Sequence, residues 1–544
     1  MGPPIESPSS GPSLVETRMT LRARAALAGV ASLALLIKIL LALKTYGTND
    51  VYVFSQFSVW SQYLGVQLYR VDPQFNHPPS MIHVLHFLSW LARSTALPFS
   101  FWLRLPCILA DTGTVWIVWK LLGERKLAAD PAKQRSVWPL VLLAASPTLI
   151  LISGFHGNTD SVVIFFVLLS IYLIERGATA WFAGAALGLA FCVKVFPVIV
   201  VPVILLNLSG WGRKIKFSAA AIAVLLVGWS PFFFQDPRAV IEQVFGYRSL
   251  YGHWGLTYLA LQLPSGAAWA ESLNAFLERW GTYLALGLVW VVSWRMNRAS
   301  QRPRLFSQAG LVFLLFLSVS SGFGVQYLAW LAPWVAELGW APAAIFYSAS
   351  GIFLFLVYNY WAQGLPWYLA DAINVGDYPG YFAHAQLLCW FSVLLALGVS
   401  WRRIEVAAGW KRMLPFPQLA PGWRVAEGLL AACIVWWVVP AQPATPPPPG
   451  GKDERAVRAI NAQSDLDLSD TLAGAGRHQD AIRAAREALA LTPDSASAYT
   501  GIASAYAAVG KWKEARESAE TALRLDPGAE AARTALALAA SKLK

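Results

Sequence analysis

Long apolar runs separated by short polar stretches dominate the chain up to about residue 440. They fall near 25–43, 102–122, 137–153, 160–175, 180–194, 196–208, 217–234, 280–294, 305–320, 326–339, 341–358, 383–400 and 425–440. Each reads as a helix, and a full bilayer crossing takes about 20 residues. The count is thirteen spans, falling to twelve or eleven if some short runs do not cross; 326–358 also reads as one re-entrant pair. Residues 1–17 are rich in Pro, Ser and Gly and predict disorder. Arg18, Arg22 and Arg24 then lead into the first run like the charged region of a signal peptide. No small-residue cleavage site follows, so the run is an uncleaved first span with its N-terminus in the cytoplasm.

The pattern changes after residue 440. Pro440–Gly451 (PAQPATPPPPGG) is a stiff, extended spacer. Beyond it the chain repeats at an interval of 34: Gly476/Gly510, Ala481/Ala515, Ala488/Ala522, Leu491/Leu525 and Pro493/Pro527. Small residues recur where paired helices touch, and Pro closes each unit. This resembles the tetratricopeptide repeat. Tyr499, Ile502 and Tyr506 fit the opening helix of the second repeat, and 528–542 reads as a capping helix. The first repeat's opening helix is degenerate, with Asp465 where a bulky aromatic is usual. The predicted fold is therefore all-α: a polytopic transmembrane bundle over 18–440, a linker over 441–451 and a helical repeat domain over 452–544. The repeats imply a protein partner, with a mere spacer as the alternative.

Composition agrees with lipid as the solvent. Of 544 residues 56% are hydrophobic and 14% charged, and the mean hydropathy is +0.47. A soluble domain carries about a quarter charged residues. The 26 Trp and 18 Tyr suit the two membrane interfaces. Cys107, Cys192, Cys389 and Cys433 all lie in apolar stretches without metal-ligand spacing, so they read as buried thiols. The net charge of +12 invites a nucleic-acid reading until it is located. From Lys452 onward 13 basic residues meet 13 acidic ones, so the excess belongs to the membrane part. There it sets topology. Lys120/Arg125/Lys126/Lys133/Arg135, Arg213/Lys214/Lys216, Arg295/Arg298/Arg302/Arg304 and Arg402/Arg403/Lys411/Arg412 mark the cytoplasmic side. The longer aromatic loops 44–100, 235–279 and 359–382 face outward, and an odd span count puts the C-terminus outside.

Ionisable groups at or within a bilayer are costly, so they are the place to seek chemistry. The first outer loop opens with Tyr46-Gly-Thr-Asn-Asp50 and later carries Asp72-Pro-Gln-Phe-Asn-His77. A second polar knot is Gly154-Phe-His156-Gly-Asn158-Thr-Asp160. Lys194 in CVKVFP, Arg248/Tyr251/His253 in YRSLYGHWG and Gln326-Tyr327 in FGVQYLAW complete the set. Each has a structural alternative. Asp50 or Asp160 caps the helix that follows it, Lys194 snorkels to the interface, and His156 is a hydrogen-bonded structural histidine. Lys38 and Asp111, in adjacent spans, read as a structural pair.

An acid just after the first span resembles the catalytic acid of membrane-embedded GT-C glycosyltransferases. The likeness extends to LRLPCILADTGTV (103–115), GFHGNTD (154–160), GLAFCVKVFPVIVVP (188–202) and VQYLAW (325–330), and covers about 20–440. Bacterial polyprenyl-phosphate-mannose-dependent enzymes and the GPI mannosyltransferase are the most similar members; the repeat tail is no general part of that class. The resemblance implies an inverting transfer of a hexose, mannose-like, from a polyprenyl-phosphate donor in the inner membrane. The acceptor would be an extracytoplasmic protein, glycan or lipid. Asp50 would be the base, with Asp160 the second candidate. Lys194, Arg248 and His253 would hold the phosphate. His156, Asn158 and Asp160 would orient sugar or acceptor, with Gln326, Tyr327 and His77 beside them. No cofactor is required: a divalent ion between Asp50 and Asp160 fits, but a lipid monophosphate does not demand one. Two other functions compete. A lipid-linked-sugar flippase would show repeated halves and midplane helix breaks, and a scaffold for the repeat domain would leave the ionisable cluster unexplained.

Overall fold

Residues 21–123, 137–247, 249–264, 266–372, 380–409 and 453–544 are described by a computed structural model. The first span is α1 (Leu21–Lys44), followed by β1 (Gly47–Thr48), α2 (Asn49–Leu64), α3 (Leu68–Val71) and α4 (Ser80–Ser94). The stretch between the first two spans is thus helical, where the sequence suggested only an aromatic loop. Its helices pair through hydroxyls: Ser58 Oγ on α2 lies 3.0 Å from Leu85 O and 2.6 Å from Ser89 Oγ on α4. Helix α5 (Phe99–Gly123) then crosses back against α1.

Pro147 and Ser146 divide the next apolar stretch into α6 (Trp138–Ala144) and α7 (Pro147–Leu151), which runs into a π-turn at Ile152–His156. Helices α8 (Asp160–Glu175), α9 (Ala180–Val193), α10 (Val201–Asn207) and α11 (Trp211–Phe233) follow. α9 and α11 pack backbone to backbone because Gly188 has no side chain; a Cβ there would meet Ala221 O at 2.7 Å. The stretch after α11 holds α12 (Pro237–Gly246), β2 (Leu250–Tyr251) and α13 (Gly255–Leu261). After it come α14 (Ala268–Asn297), α15 (Leu305–Val319), β3 (Gly322–Phe323), α16 (Leu328–Glu337), α17 (Trp340–Trp361), β4 (Leu369–Ala370) and α18 (Gly380–Ala408).

Among the described residues seven segments are long and apolar enough to cross a bilayer: Arg22–Lys44, Phe99–Leu122, Trp138–His156, Trp211–Phe233, Ala268–Asn297, Trp340–Trp361 and Gly380–Ala408. The other predicted spans up to 339 coincide with shorter helices, and 425–440 lies outside the described residues. The span predicted at 280–294 starts earlier, at Ala268. α15 and α16 form the centre, where Trp334 stacks on Phe313 at 5.6 Å and leans on Phe306 at 4.8 Å. Leu33 on α1, Val227 on α11 and Val291 on α14 are exposed and apolar, as lipid contact requires. Lys38 and Asp111 form the predicted buried pair, at 2.7 Å.

The tail folds as α19 (Glu454–Gly474), α20 (His478–Leu491), α21 (Ala496–Ala508), α22 (Trp512–Leu525) and α23 (Glu530–Lys542). Gly476 and Gly510 both take φ +75°, the left-handed stop that turns each first helix into its partner. Ala481, Ala488, Ala515 and Ala522 are fully buried between the helices. The cysteines described, Cys107, Cys192 and Cys389, are free thiols.

Candidate active site at the C-terminal end of the first span

Arg104 organises this end of the bundle. Fully buried on α5, it donates to Ala42 O (2.9 Å), Thr45 O (2.5 Å), Thr45 Oγ1 (3.0 Å), Gly154 O (3.2 Å) and Ser100 O (2.8 Å). The last carbonyls of a helix have no partner within it. The guanidinium fork supplies one for α1 and ties that end to the π-turn. Gly157 follows the turn at φ +82°, with the Val51 and Arg104 side chains where a Cβ would go. Only glycine closes this bend, which points His156 and Asn158 at the start of α2.

Thr48 joins the two sides. Its hydroxyl donates to His156 O (2.7 Å) and accepts from Asp50 N (3.3 Å), so Thr48 is the N-cap of α2. This corrects the capping alternative for Asp50, whose carboxylate stays available. Parallel pairing of β1 with β4 adds a second support. Tyr46 N donates to Tyr368 O (2.8 Å), Tyr52 OH to Asp371 Oδ1 (3.1 Å) and Ala372 N to Asn49 Oδ1 (3.3 Å).

The carboxylate of Asp50 is partly buried, with 26% of its side chain exposed. Its Oδ2 accepts from His156 Nε2 (3.1 Å) and Asn158 Nδ2 (2.5 Å), while Oδ1 meets only Asn49 Nδ2 at 3.4 Å. His156 Nδ1 lies 3.0 Å from Tyr358 OH, which orients the ring. Burial opposes ionisation of Asp50. His156, by charge and hydrogen bond, Asn158 and the Lys194 ammonium outweigh it and hold the carboxyl at about 2.

The network continues inward. Lys194 Nζ donates to Asn158 Oδ1 (2.7 Å) and Asp160 Oδ2 (2.6 Å), and Asp160 Oδ1 accepts from Trp330 Nε1 (2.5 Å). Asp160 is fully buried and both its oxygens are engaged. Lys194 is therefore paired rather than snorkelling. The two carboxylates communicate through Asn158 and Lys194 instead of facing each other. Tyr327 stacks on Trp330 at 4.1 Å and Phe196 on its other side at 3.8 Å, so an aromatic sandwich walls the Asp160 end.

Of the remaining predicted residues, His77 lies close enough to feel the charges of Lys194 and Asp50. His77 is buried among Phe54, Phe57 and Phe75. Burial and the Lys194 charge push its imidazole down to about 3, so it is neutral. Gln326 lies in the turn before α16, against Gly324. His253 sits beyond β2, which pairs antiparallel with β3, and Arg248 is outside the described residues. Among the described residues no group of three or more His, Cys, Asp or Glu gathers as a metal cluster would. Four residues of the site went unread in the sequence: Arg104, Trp330, Tyr358 and Asp371. For Arg104 the signal was there, a lone arginine in an apolar run.

Comparison with known families bears out both resemblances. Residues 152–264 match the model described as mannosyltransferase (PIG-M). Residues 466–530 and 500–542 match the tetratricopeptide repeat. The first match spans His156, Asn158, Asp160 and Lys194 and begins after Asp50. No curated protein matches the chain.

Proposed function

We propose, for a chain similar to membrane mannosyltransferases over 152–264, that it moves a mannose-like hexose from a polyprenyl-phosphate donor to an extracytoplasmic acceptor with inversion. The observation that carries this reading is the Asp50 carboxylate. Its Oδ2 is held by His156 and Asn158, and its Oδ1 is left for an incoming hydroxyl.

The acceptor oxygen attacks the anomeric carbon as the bond from that carbon to the phosphate oxygen breaks. Its proton passes to Asp50 Oδ1, and polyprenyl phosphate leaves with the bonding pair. A carboxylate held at about 2 is a weak base. An oxocarbenium-like transition state suits it, because the hydroxyl becomes acidic only as the new bond forms. Lys194 uses two N–H groups on Asn158 and Asp160. An ammonium has a further donor, and that N–H meets the departing phosphate. Asp160 fixes the amine in place and is a positioning residue here; His253 and Arg248 would reach the phosphate from the second outer loop.

The N-terminus is cytoplasmic on this reading, and the site and tail are extracytoplasmic. Nothing in the chemistry calls for a metal, so transfer should persist in chelator. The deciding experiment measures labelled sugar transfer from a synthetic polyprenyl-phosphate-mannose by purified wild type and Asp50→Asn. Equal turnover would reject Asp50 as the base, and no transfer by wild type from several such donors would reject the reaction.

A further inference from the structure

The repeat tail is docked on the very helix that starts at Asp50. Trp60 Nε1 on α2 donates to Ser464 O on α19 (3.3 Å), and Tyr63 OH donates to Glu487 on α20 (3.0 Å). Arg477, in the turn between α19 and α20, donates back to Tyr63 O (2.7 Å), and the Arg483 guanidinium lies 5.7 Å from the Tyr63 ring. At the other end of α2, Val457 of α19 packs with Tyr52 and with Leu369 of β4. Asn461 bonds the side chain of Tyr46, four residues before Asp50. Helix α19 thus follows α2 along its length and reaches the β1–β4 pair that sets the site.

Repeat stacks bury each apolar face only against a neighbour, and their ends need caps. At the far end of this one, α23 covers α22. At the near end no repeat precedes α19 among the described residues, and α2 packs there instead. Trp and Tyr are also the side chains that most often carry an interface. We infer that α2 is the missing neighbour of the repeat stack, and that the docked tail in turn holds α2 so that Asp50 meets its acceptor. Trp60 and Tyr63 are then positioning residues for transfer. The second half of this inference rests on the function proposed above; the first half does not.

The test uses the full chain with a protease site placed in the Pro440–Gly451 linker. After cutting, the wild-type tail should stay with the membrane part through purification, and turnover should persist. Trp60→Ala with Tyr63→Ala should release the tail, raise hydrogen exchange in α2 and lower kcat about ten- to a hundredfold at unchanged donor KM. Arg477→Ala with Glu487→Ala should do the same while leaving the bundle's sequence intact, which guards against a misfolded α2. Tyr63→Phe keeps the ring and should restore retention. A wild-type tail that washes away after cutting, with α2 exchange unchanged, overturns the docking. A released tail with wild-type kcat overturns the positioning role. Absence of transfer from uncut wild type sinks the proposed reaction and the positioning role with it, while retention and exchange still decide the docking.

Discussion

Asp50 and Asp160 stand at opposite ends of one hydrogen-bonded chain, and their surroundings could hardly differ more. Asp50 keeps a quarter of its side chain exposed and one oxygen nearly unspoken for, whereas Asp160 is sealed with both oxygens taken, by Lys194 and Trp330. Chemistry needs an atom that can change partners; support needs one that cannot. On the function proposed above, burial and hydrogen bonding divide the same residue type in one network between these tasks. The sequence named both aspartates and, by resemblance, put Asp50 first as the base; it carried no sign of how differently the two are enclosed.

The largest expected effect tests the exposed end. Asp50→Asn should cut kcat by about 10²–10⁴-fold, the usual loss for a general base, while expression and donor binding stay near wild type. With its carboxyl at about 2, Asp50 is ionised at every working pH, so no loss of rate above about pH 4 should trace to it. Next comes the sealed end. Asp160→Asn strands the Lys194 ammonium without its counter-charge, and breaking such a pair costs about 3–5 kcal/mol. Thermal melts in detergent should fall accordingly. If instead Asp160→Asn melts like wild type but is inactive, and Asp50→Asn turns over, the comparison is reversed and Asp160 is the base.

Between the two ends, Lys194→Met should raise donor KM by about ten- to a hundredfold, the worth of a hydrogen bond to a charged group, with a smaller change in kcat. The smallest effect lies in the tail. Burial, with the nearby Glu487 charge adding to it, raises the Asp465 carboxyl from 3.8 to about 7. A group whose pKa is raised on folding stabilises the fold below its unfolded value and loses that contribution as pH climbs through the folded one. Tail stability should therefore decline between about pH 4 and 7, and Asp465→Asn should flatten that slope in hydrogen-exchange or melting profiles.

Much of this was legible because membranes make polar residues conspicuous. Lys194, His156, Asn158 and Asp160 stood out against apolar flanks, and their pairing follows from the cost of leaving any of them alone. The period of 34 exposed the repeats. What stayed hidden depends on partners distant in sequence. Trp330 closes the VQYLAW stretch, but its part in the site shows only where Asp160, 170 residues away, accepts its N–H. Asp371 reaches Tyr52 over 319 residues, and α2 was obscured within a polar aromatic loop. Asp465 read as a degenerate position, and only the fold shows it buried beside the α2 interface.

The contact between Trp60 and Ser464 joins residues 404 apart. Synthesis proceeds from the N-terminus at about 5–20 residues per second, so α2 emerges tens of seconds before the helix it will lie against. Throughout that interval Trp60 and Tyr63 are without the partners they meet on the tail. A segment made some 400 residues later completes the neighbourhood of Asp50. A chain released early would thus carry every residue of the polar network and yet lack the partner that steadies its first member.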